Sequence, residues 1–185
     1  MSNKTDLRVI KTKALLYKTL EELMKEKSFE EIKVSDICNI ALINRSTFYS
    51  HYNDKYELLQ EYITNLKETL YKELSKNTNT ENTKEYYLEM LKLLLDHIEE
   101  KKDTYTKIMI KNKNSITMDI FYDAINKDII NQIKNKDKIP SEIISKFYLG
   151  AVFNVFLEWL TSNNKYTKED LIRYIDILIP NNLSI

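Results

Sequence analysis

The chain is poor in the two residues that shape tight turns, because its 185 residues include only one glycine and two prolines. β-Hairpins depend on glycine-rich turns, so this scarcity argues against a sheet and favours helices joined by short polar loops. Both prolines, Pro140 and Pro180, lie at the edges of apolar periodic segments, where a helix boundary accommodates them. The composition therefore predicts an all-α fold.

Cysteine and histidine are equally scarce. The single cysteine, Cys38, cannot form an internal disulfide or a multi-cysteine metal site. The two histidines, His51 and His97, have no neighbours in sequence that suggest a metal or catalytic arrangement. A glycine-rich phosphate loop is impossible with Gly150 alone. These absences argue against an enzyme, and we expect no metal and no cofactor.

Long uncharged hydrophobic runs are missing as well. The residues after Met1 are polar and charged, so we expect no signal peptide. The most apolar window, residues 143–160, contains Lys146, Asn154 and Glu158, which favours a buried helix over a membrane span. The fractions of charged and apolar residues, 30% and 43%, are ordinary for a soluble protein, and the single cysteine favours a cytoplasmic chain, with no membrane partner.

The formal net charge is zero, so the chain as a whole lacks the positive excess typical of nucleic-acid binders. The charge is unevenly distributed, however. Within the first 20 residues a single acid, Asp6, is outnumbered by five cations, namely Lys4, Arg8, Lys11, Lys13 and Lys18. This segment can be a solvated face of the first helix or an arm that faces phosphates, and the sequence leaves both interpretations open.

Apolar residues recur at helical spacing through most of the chain. The pattern predicts nine helices, over residues 7–27, 34–41, 45–51, 55–75, 84–101, 104–111, 115–135, 141–163 and 168–179. Residues 77–83 contain no apolar side chain and predict a polar linker inside the C-terminal part. Asn44 can cap the third helix and Asp54 the fourth.

The third predicted helix carries most of the functional information. Phe48 and Tyr52 are four residues apart, so they share a face and can anchor the helix to its neighbours. Polar side chains occupy its other faces, namely Arg45, Ser46, Thr47 and Ser50. Arginine can bond guanine in bidentate fashion, and the methyl group of threonine can contact that of thymine. The pattern suits a helix that lies in a DNA major groove.

Two flanking residues suit phosphate contacts. The Tyr49 hydroxyl can donate to a phosphate oxygen. Lys55 lies in the first turn of the next helix, where free backbone N–H groups also favour an anion. The alternative for Lys55 is an ordinary solvated lysine.

This segment resembles the DNA-binding part of the TetR family of bacterial transcription regulators, over roughly residues 8–62. The match is strongest at Ile37 with Ala41, then Asn44-Arg45-Ser46-Thr47-Phe48-Tyr49, His51-Tyr52, Asp54-Lys55 and Leu58-Leu59. The resemblance implies about nine helices, with a helix-turn-helix DNA-binding domain at residues 1–62. It also implies a C-terminal dimerisation and effector-binding domain at residues 63–185.

The resemblance further implies that Tyr49 and Lys55 contact phosphate and that the first turn of the recognition helix lies closest to the bases. The predicted DNA-binding residues are Lys33, Ser35, Asn44, Arg45, Ser46, Thr47, Tyr49, Ser50, His51 and Lys55. The chain departs from the family pattern at Leu42, where the turn usually carries glycine, and at Lys33, where a threonine often begins the second helix.

The segment over residues 143–160 is apolar nearly all round, so it must be covered on most sides. We expect it to form a dimer interface together with the last helix, and a monomer with a fully buried central helix is the alternative. A glycine inside a helix costs about 1 kcal/mol relative to alanine, which close helix approach would offset. The predicted interface residues are Phe147, Gly150, Ala151, Asn154, Leu157, Tyr174 and Leu178.

Aromatic and methionine side chains in the C-terminal half can line an effector pocket or simply fill a core. The predicted pocket residues are Tyr87, Met90, Leu94, Tyr105, Met109, Phe121 and Tyr122. No charge cluster identifies a ligand. We therefore expect a homodimeric repressor that binds operator DNA and is released by a small-molecule effector. The alternative is a helical coactivator or adaptor that keeps the DNA-binding fold but works through a protein partner.

Overall fold

The computed structural model describes residues 2–77, 83–112, 118–120, 122–123, 126, 139–162 and 165–179. Within these ranges the chain forms eight α-helices, one 3-10 turn (Phe29–Glu31) and no strand, so the all-α prediction is confirmed. The helices are α1 (Ser2–Glu26), α2 (Val34–Ile40), α3 (Arg45–Tyr49), α4 (Lys55–Asn77), α5 (Thr83–Glu99), α6 (Lys102–Asn112), α7 (Ser141–Thr161) and α8 (Lys168–Leu178). Helix α1 begins earlier than predicted. Most of the predicted helix over 115–135 and most of the 77–83 linker lie outside the described residues.

The chain divides into two compact units. The first comprises residues 1–65 and 107–121, and the second comprises residues 66–106 and 122–185. Helices α4 and α6 therefore contribute residues to both. The predicted boundary after residue 62 stays a prediction. The sequence pattern did not indicate that residues 107–121 join the N-terminal unit.

In the first unit, α1 packs against α2, and α2 packs against α3. Most of the side chains with almost no exposure are apolar, among them Leu16, Leu20, Phe29, Ile32, Ile37, Phe48, Leu58 and Leu59. Cys38 is buried among them, and burial raises the pKa of its thiol. A buried, protonated thiol is chemically inert, so Cys38 acts as a small packing residue.

The turn between α2 and α3 depends on a left-handed residue. Leu42 has a φ of 53°, and among the described residues it is the one non-glycine residue with positive φ. Its side chain is 90% exposed, so it gains no burial from that position. Leu42 therefore adopts the left-handed conformation that glycine, the usual residue of the family pattern at this turn, would adopt without strain. A left-handed backbone costs a residue with a Cβ atom about 1–2 kcal/mol.

We expect Leu42→Gly to raise the free energy of unfolding, by at most about 1 kcal/mol, because relief of the strain exceeds the added entropy of the unfolded chain. Urea unfolding followed by circular dichroism measures it. Leu42→Ala is the matched control, since it removes the exposed side chain but keeps the Cβ atom, and it should leave stability unchanged. If both variants raise the free energy of unfolding equally, the exposed leucine side chain, and not the backbone strain, lowers the stability of the wild type.

The second unit is built on α5, α7 and α8, with α8 packed against the other two helices. Lys168, at the start of α8, bonds Asp96 at 2.5 Å and Glu99 at 2.8 Å near the end of α5. Lys84, at the start of α5, donates to the Asp176 carbonyl at 2.7 Å near the end of α8. The two helices are therefore antiparallel and joined near both ends.

Helix α7 has two different sides. Its buried residues are Ser145, Leu149, Phe156, Trp159 and Leu160, whereas Ile143 and Phe147 are 57% and 69% exposed. By length and composition the helix could cross a membrane, and 28% of its most apolar window is buried within this chain. The expected burial on most sides is thus not reached within one chain.

The chain's one glycine lies in the middle of α7. A Cβ atom built on Gly150 would lie 3.5 Å from the Tyr122 hydroxyl oxygen of the same chain, an ordinary van der Waals distance. The Tyr122 hydroxyl donates to the Lys146 carbonyl at 3.0 Å, one turn earlier on α7. The neighbour that the structure gives to Gly150 is therefore Tyr122, which a side chain larger than alanine would push aside.

Candidate nucleic-acid interface

Helix α3 is short and depends on its neighbours for its position. It follows Asn44, whose extended backbone occupies the N-cap position although its side chain makes no capping hydrogen bond. The Phe48 N–H donates to the Asn44 carbonyl at 3.1 Å and closes the first turn. Phe48 is fully buried and Tyr52 is 3% exposed, with ring centroids 5.8 Å apart. Both predicted anchoring residues are buried, but α3 ends at Tyr49, earlier than the predicted His51, so Tyr52 lies just after the helix.

The Tyr52 hydroxyl fixes this face in place. It donates to the Glu61 carboxylate on α4, which also receives the Lys13 ammonium of α1 at 2.5 Å. Burial and the hydrogen bond to Glu61 raise the pKa of Tyr52, so the phenol stays neutral and remains a donor. Burial alone would raise the pKa of Glu61, but hydrogen bonds from Lys13, Tyr52 and Tyr17 outweigh it and lower that pKa. The recognition helix is thereby tied to α1 and α4.

The Glu61 carboxylate should make the first unit sensitive to acid. Because its pKa is lowered from 4.5 in the folded state, its contribution is present above that value and is lost as pH falls through the folded pKa. We expect Glu61→Gln to lower stability at pH 7 by about 1 kcal/mol, allowing for partial solvent screening. The difference from wild type should begin to shrink at the unfolded pKa and disappear only below the lower folded pKa.

Urea unfolding between pH 7 and pH 3 measures this. Glu22→Gln is the control, because Glu22 faces Lys18 at 4.0 Å across an exposed helix surface. It should change stability little at any pH. A pH-independent difference for Glu61→Gln would show that shape, and not charge, accounts for the effect.

Most of the predicted DNA-binding residues are accessible. Lys33, Asn44, Arg45, Ser46, Tyr49 and Ser50 are exposed, whereas Ser35, Thr47 and His51 are half-buried. Tyr49 is 56% exposed although its ring contacts the buried Phe48 edge-on. The Ser50 hydroxyl donates to the Thr47 carbonyl at 2.7 Å. The Ser50 oxygen can therefore act towards DNA only as an acceptor. A polar, accessible face therefore lies opposite the buried one.

An acid in the first turn of helix α2 holds the start of that helix. The Asp36 carboxylate accepts the Lys33 backbone N–H at 3.1 Å and the Lys27 ammonium at 2.5 Å. Helix α4 begins in a similar way, because the Asp54 carboxylate accepts the backbone N–H groups of Tyr56 and Glu57 at 2.8 and 2.9 Å. The predicted cap at Asp54 is confirmed.

Lys55 is arranged differently from either expectation. Its ammonium nitrogen lies 2.8 Å from three backbone carbonyl oxygens, those of Phe29, Glu30 and Ile32. It also lies 4.8 Å from the centre of the Phe29 ring. Burial lowers the pKa of the lysine, and its three N–H donors are all used within the chain. The structure thus shows Lys55 holding the 3-10 turn rather than pointing into solvent.

Asn112, the last residue of α6, was missed by sequence reasoning. It is fully buried, and its side-chain oxygen accepts the Phe29 backbone N–H at 2.7 Å. Its side-chain nitrogen donates to the Ile108 carbonyl at 2.7 Å. The neighbours of Asn112 in sequence are lysine, asparagine and serine, a composition that predicts an exposed helix end. Its partner is 83 residues away, so no local pattern identifies it.

The predicted effector residues are spread over the chain. Tyr87, Met90 and Leu94 are half-buried on α5. Tyr105 is buried and its hydroxyl lies 2.8 Å from His97 Nε2. Met109 is also buried but belongs to the first unit, Tyr122 is half-buried, and Phe121 lies outside the described residues. The pocket stays a prediction. In the described part of the chain, no group of three metal-ligating side chains is arranged to hold an ion.

Most of the predicted interface residues are exposed. Phe147, Tyr174 and Leu178 have exposed fractions of 69%, 40% and 72%. Ala151 and Asn154 are exposed as well, whereas Gly150 and Leu157 are half-buried. Ile143 on α7 and Ile177 on α8 add further exposed apolar area. We call Ile143, Phe147, Tyr174, Ile177 and Leu178 the apolar surface of α7 and α8.

Comparisons with known proteins agree with this architecture. The sequence profile described as "Bacterial regulatory proteins, tetR family" matches residues 16–62, and that described as "Transcriptional regulator C-terminal region" matches residues 85–181. An uncharacterised HTH-type transcriptional regulator of Bacillus subtilis, YxbF, is 42% identical over 59 residues. That match covers 31% of this chain and spans only 16% of the length of YxbF.

Two solved structures are similar over nearly the whole chain. A TetR transcriptional regulator from Streptococcus agalactiae is 25% identical with a TM-score of 0.68, covering 96% of this chain and 98% of its own. Thermus thermophilus FadR, a repressor solved with lauroyl-CoA, shares the fold at 17% identity and a TM-score of 0.53, covering 89% and 90%. Because the two profiles together match most of the sequence, the chain belongs to the TetR family of transcriptional regulators.

Proposed function

We propose that this protein is a homodimeric, sequence-specific repressor that occludes a promoter and is released by a small-molecule effector. The observation that carries the proposal is the two-sided recognition helix. Phe48 on the helix and Tyr52 just after it are buried, while Arg45, Ser46 and Tyr49 remain exposed. A fixed back and an accessible polar front are what a helix needs to enter a major groove.

The exposed groups divide between reading and positioning. Arg45 is the one long cationic side chain in the first turn of α3, so it is assigned to a guanine edge. The Tyr49 hydroxyl is assigned to phosphate. Lys33, which precedes α2, and Arg8 and Lys11 on the exposed side of α1 can supply further phosphate contacts.

Lys55 is not included among these contacts. Its ammonium is used by three carbonyl oxygens, and the Asp54 carboxylate already occupies two N–H groups at the start of α4. A phosphate at that helix end would meet a negative charge where free donors were expected. The proposed phosphate contacts therefore come from α1, α2 and α3.

The C-terminal unit supplies assembly and control in this proposal. The apolar surface of α7 and α8 suits a contact with a second copy of the chain, as is typical of this family. Two recognition helices in such a dimer would read half-sites about 34 Å apart or multiples of that distance. An effector that favours a protomer arrangement with another spacing would weaken operator binding by shifting a two-state equilibrium. A cytoplasmic location follows from this role.

A binding-site selection with the full-length chain tests the proposal. The expected result is an inverted repeat for which the logarithm of the binding constant falls linearly with the logarithm of salt concentration, because phosphate contacts release counterions. Footprinting on the DNA upstream of the protein's own gene and its neighbours then locates the operator. Failure to enrich any sequence, with no salt-dependent DNA binding, would instead favour the adaptor that works through a protein partner.

A further inference from the structure

The turn that leads into α2 is held from two sides. On one side, the Asn112 side-chain oxygen accepts the Phe29 N–H at 2.7 Å. On the other, the Lys55 ammonium binds the carbonyl oxygens of Phe29, Glu30 and Ile32, each at 2.8 Å. The Phe29 ring between them is fully buried. Four backbone groups of one short turn are therefore satisfied by two side chains distant in sequence.

These contacts lie directly before the start of α2. The turn ends at Glu31, Ile32 is buried, and Lys33 is the N-cap of α2. Helix α2 packs directly against α3. Nothing in residues 29–33 forms a longer regular structure that could fix the path of the chain by itself. The side chains of Asn112 and Lys55 therefore help to fix it, together with the burial of Phe29 and Ile32.

Asn112 is buried at a cost that only its hydrogen bonds offset. A buried amide is tolerated when its donor and acceptor are both used, and Asn112 uses its oxygen for Phe29 and its nitrogen for Ile108. An apolar residue would fill the space equally well but would leave the Phe29 N–H without an acceptor. The choice of asparagine is thus explained by the turn and not by packing.

We propose that Asn112 is a positioning residue for DNA binding, which acts with Lys55 to hold the turn before α2 and thereby the helix-turn-helix. The inference rests on the proposed DNA-binding function. It makes the affinity for operator depend on a residue far outside residues 1–62. It also assigns Lys55 to the same turn, where loss of its charge removes no phosphate contact.

The test uses the full-length chain with Asn112→Leu, Lys55→Met and the double variant. Ile110→Ala is the control, since Ile110 lies on the same turn of α6 and is 63% exposed. We expect each single variant to weaken operator binding at least tenfold, with the salt dependence of wild type. The loss of operator affinity in the double variant should be smaller than the product of the two single losses, because both residues hold the same turn. The control should bind as wild type does.

Amide hydrogen exchange at Phe29 gives a readout that is independent of DNA. In wild type this amide should be protected, and Asn112→Leu should remove the protection while the amides of α7 and α8 keep theirs. Wild-type affinity in Asn112→Leu, full independence of the two substitutions, or a salt slope reduced by about one in Lys55→Met would each overturn the inference. If Asn112→Leu does not fold, an unprotected Phe29 amide in wild type overturns it and a protected one supports it.

The two proposals fail in different ways. A wild-type chain that binds no DNA in a salt-dependent manner removes the proposed function, whereas the Phe29 exchange would still report whether the turn is held. Normal operator binding by wild type together with unchanged binding by Asn112→Leu removes only the inference about Asn112.

Discussion

Arg45→Ala should weaken binding to the selected operator by about 1–3 kcal/mol and relax base preference at one symmetric pair of positions. The side chain is exposed, and it opens a helix whose opposite face is fixed by the fully buried Phe48. Because the loss is that of a base contact, binding to nonspecific DNA should fall much less. Binding-site selection on wild type and variant, followed by titration on both DNA classes, measures all three quantities.

Arg45→Lys is the matched variant, because lysine keeps the charge but lacks the planar fork that pairs with guanine. It should recover nonspecific affinity while leaving the base preference relaxed. The competing arrangement turns Arg45 towards phosphate and leaves reading to Ser46 and Thr47. In that case both variants would keep the wild-type preference, and Arg45→Ala alone would bind all sequences more weakly.

Phe147→Glu combined with Leu178→Glu should abolish the dimer and, with it, operator binding at physiological salt. Both side chains are largely exposed in one protomer, at 69% and 72%, so the fold of the protomer should survive the substitutions. In an interface, however, each copy would bury two carboxylates without partners, which costs several kcal/mol. Sedimentation at micromolar concentration should change from dimer to monomer, with the circular dichroism spectrum of wild type.

Ile110→Glu is the control for a new charge on an exposed apolar position, since Ile110 is 63% exposed and belongs to α6, not to the apolar surface of α7 and α8. It should remain dimeric. A wild-type chain that sediments as a monomer, or a double variant that remains dimeric, would show that α7 and α8 do not form the interface.

Local signals in the sequence predicted the recognition region well. Helical spacing located α2 and α3, the four-residue spacing of Phe48 and Tyr52 identified the buried face, and Asp54 was found as a cap. The left-handed backbone at Leu42 was anticipated from the family pattern, in which glycine usually occupies this turn. Each of these features depends on residues within one or two turns of each other, which is the range that a sequence pattern covers.

The features that were missed depend on distant parts of the chain. Lys55 meets carbonyl oxygens 23 to 26 residues away, and Asn112 meets an N–H 83 residues away. Backbone groups are the same in every residue, so no side-chain pattern marks which of them will be used. For α7, apolar composition indicated burial, but it cannot indicate whether the same chain or a second copy covers Phe147.

The position of Trp159 gives the two units different optical properties. It is the only tryptophan of the chain, is 1% exposed on α7, and has the Lys102 ammonium 4.7 Å from its ring. Tryptophan emission therefore reports the second unit, whereas far-ultraviolet circular dichroism reports helices in both. If both units unfold together, the two signals will give one denaturation curve. Separate curves would mean that the first unit can unfold while the tryptophan emission stays native. A screen for effectors that follows only this emission would then miss changes in the DNA-binding unit.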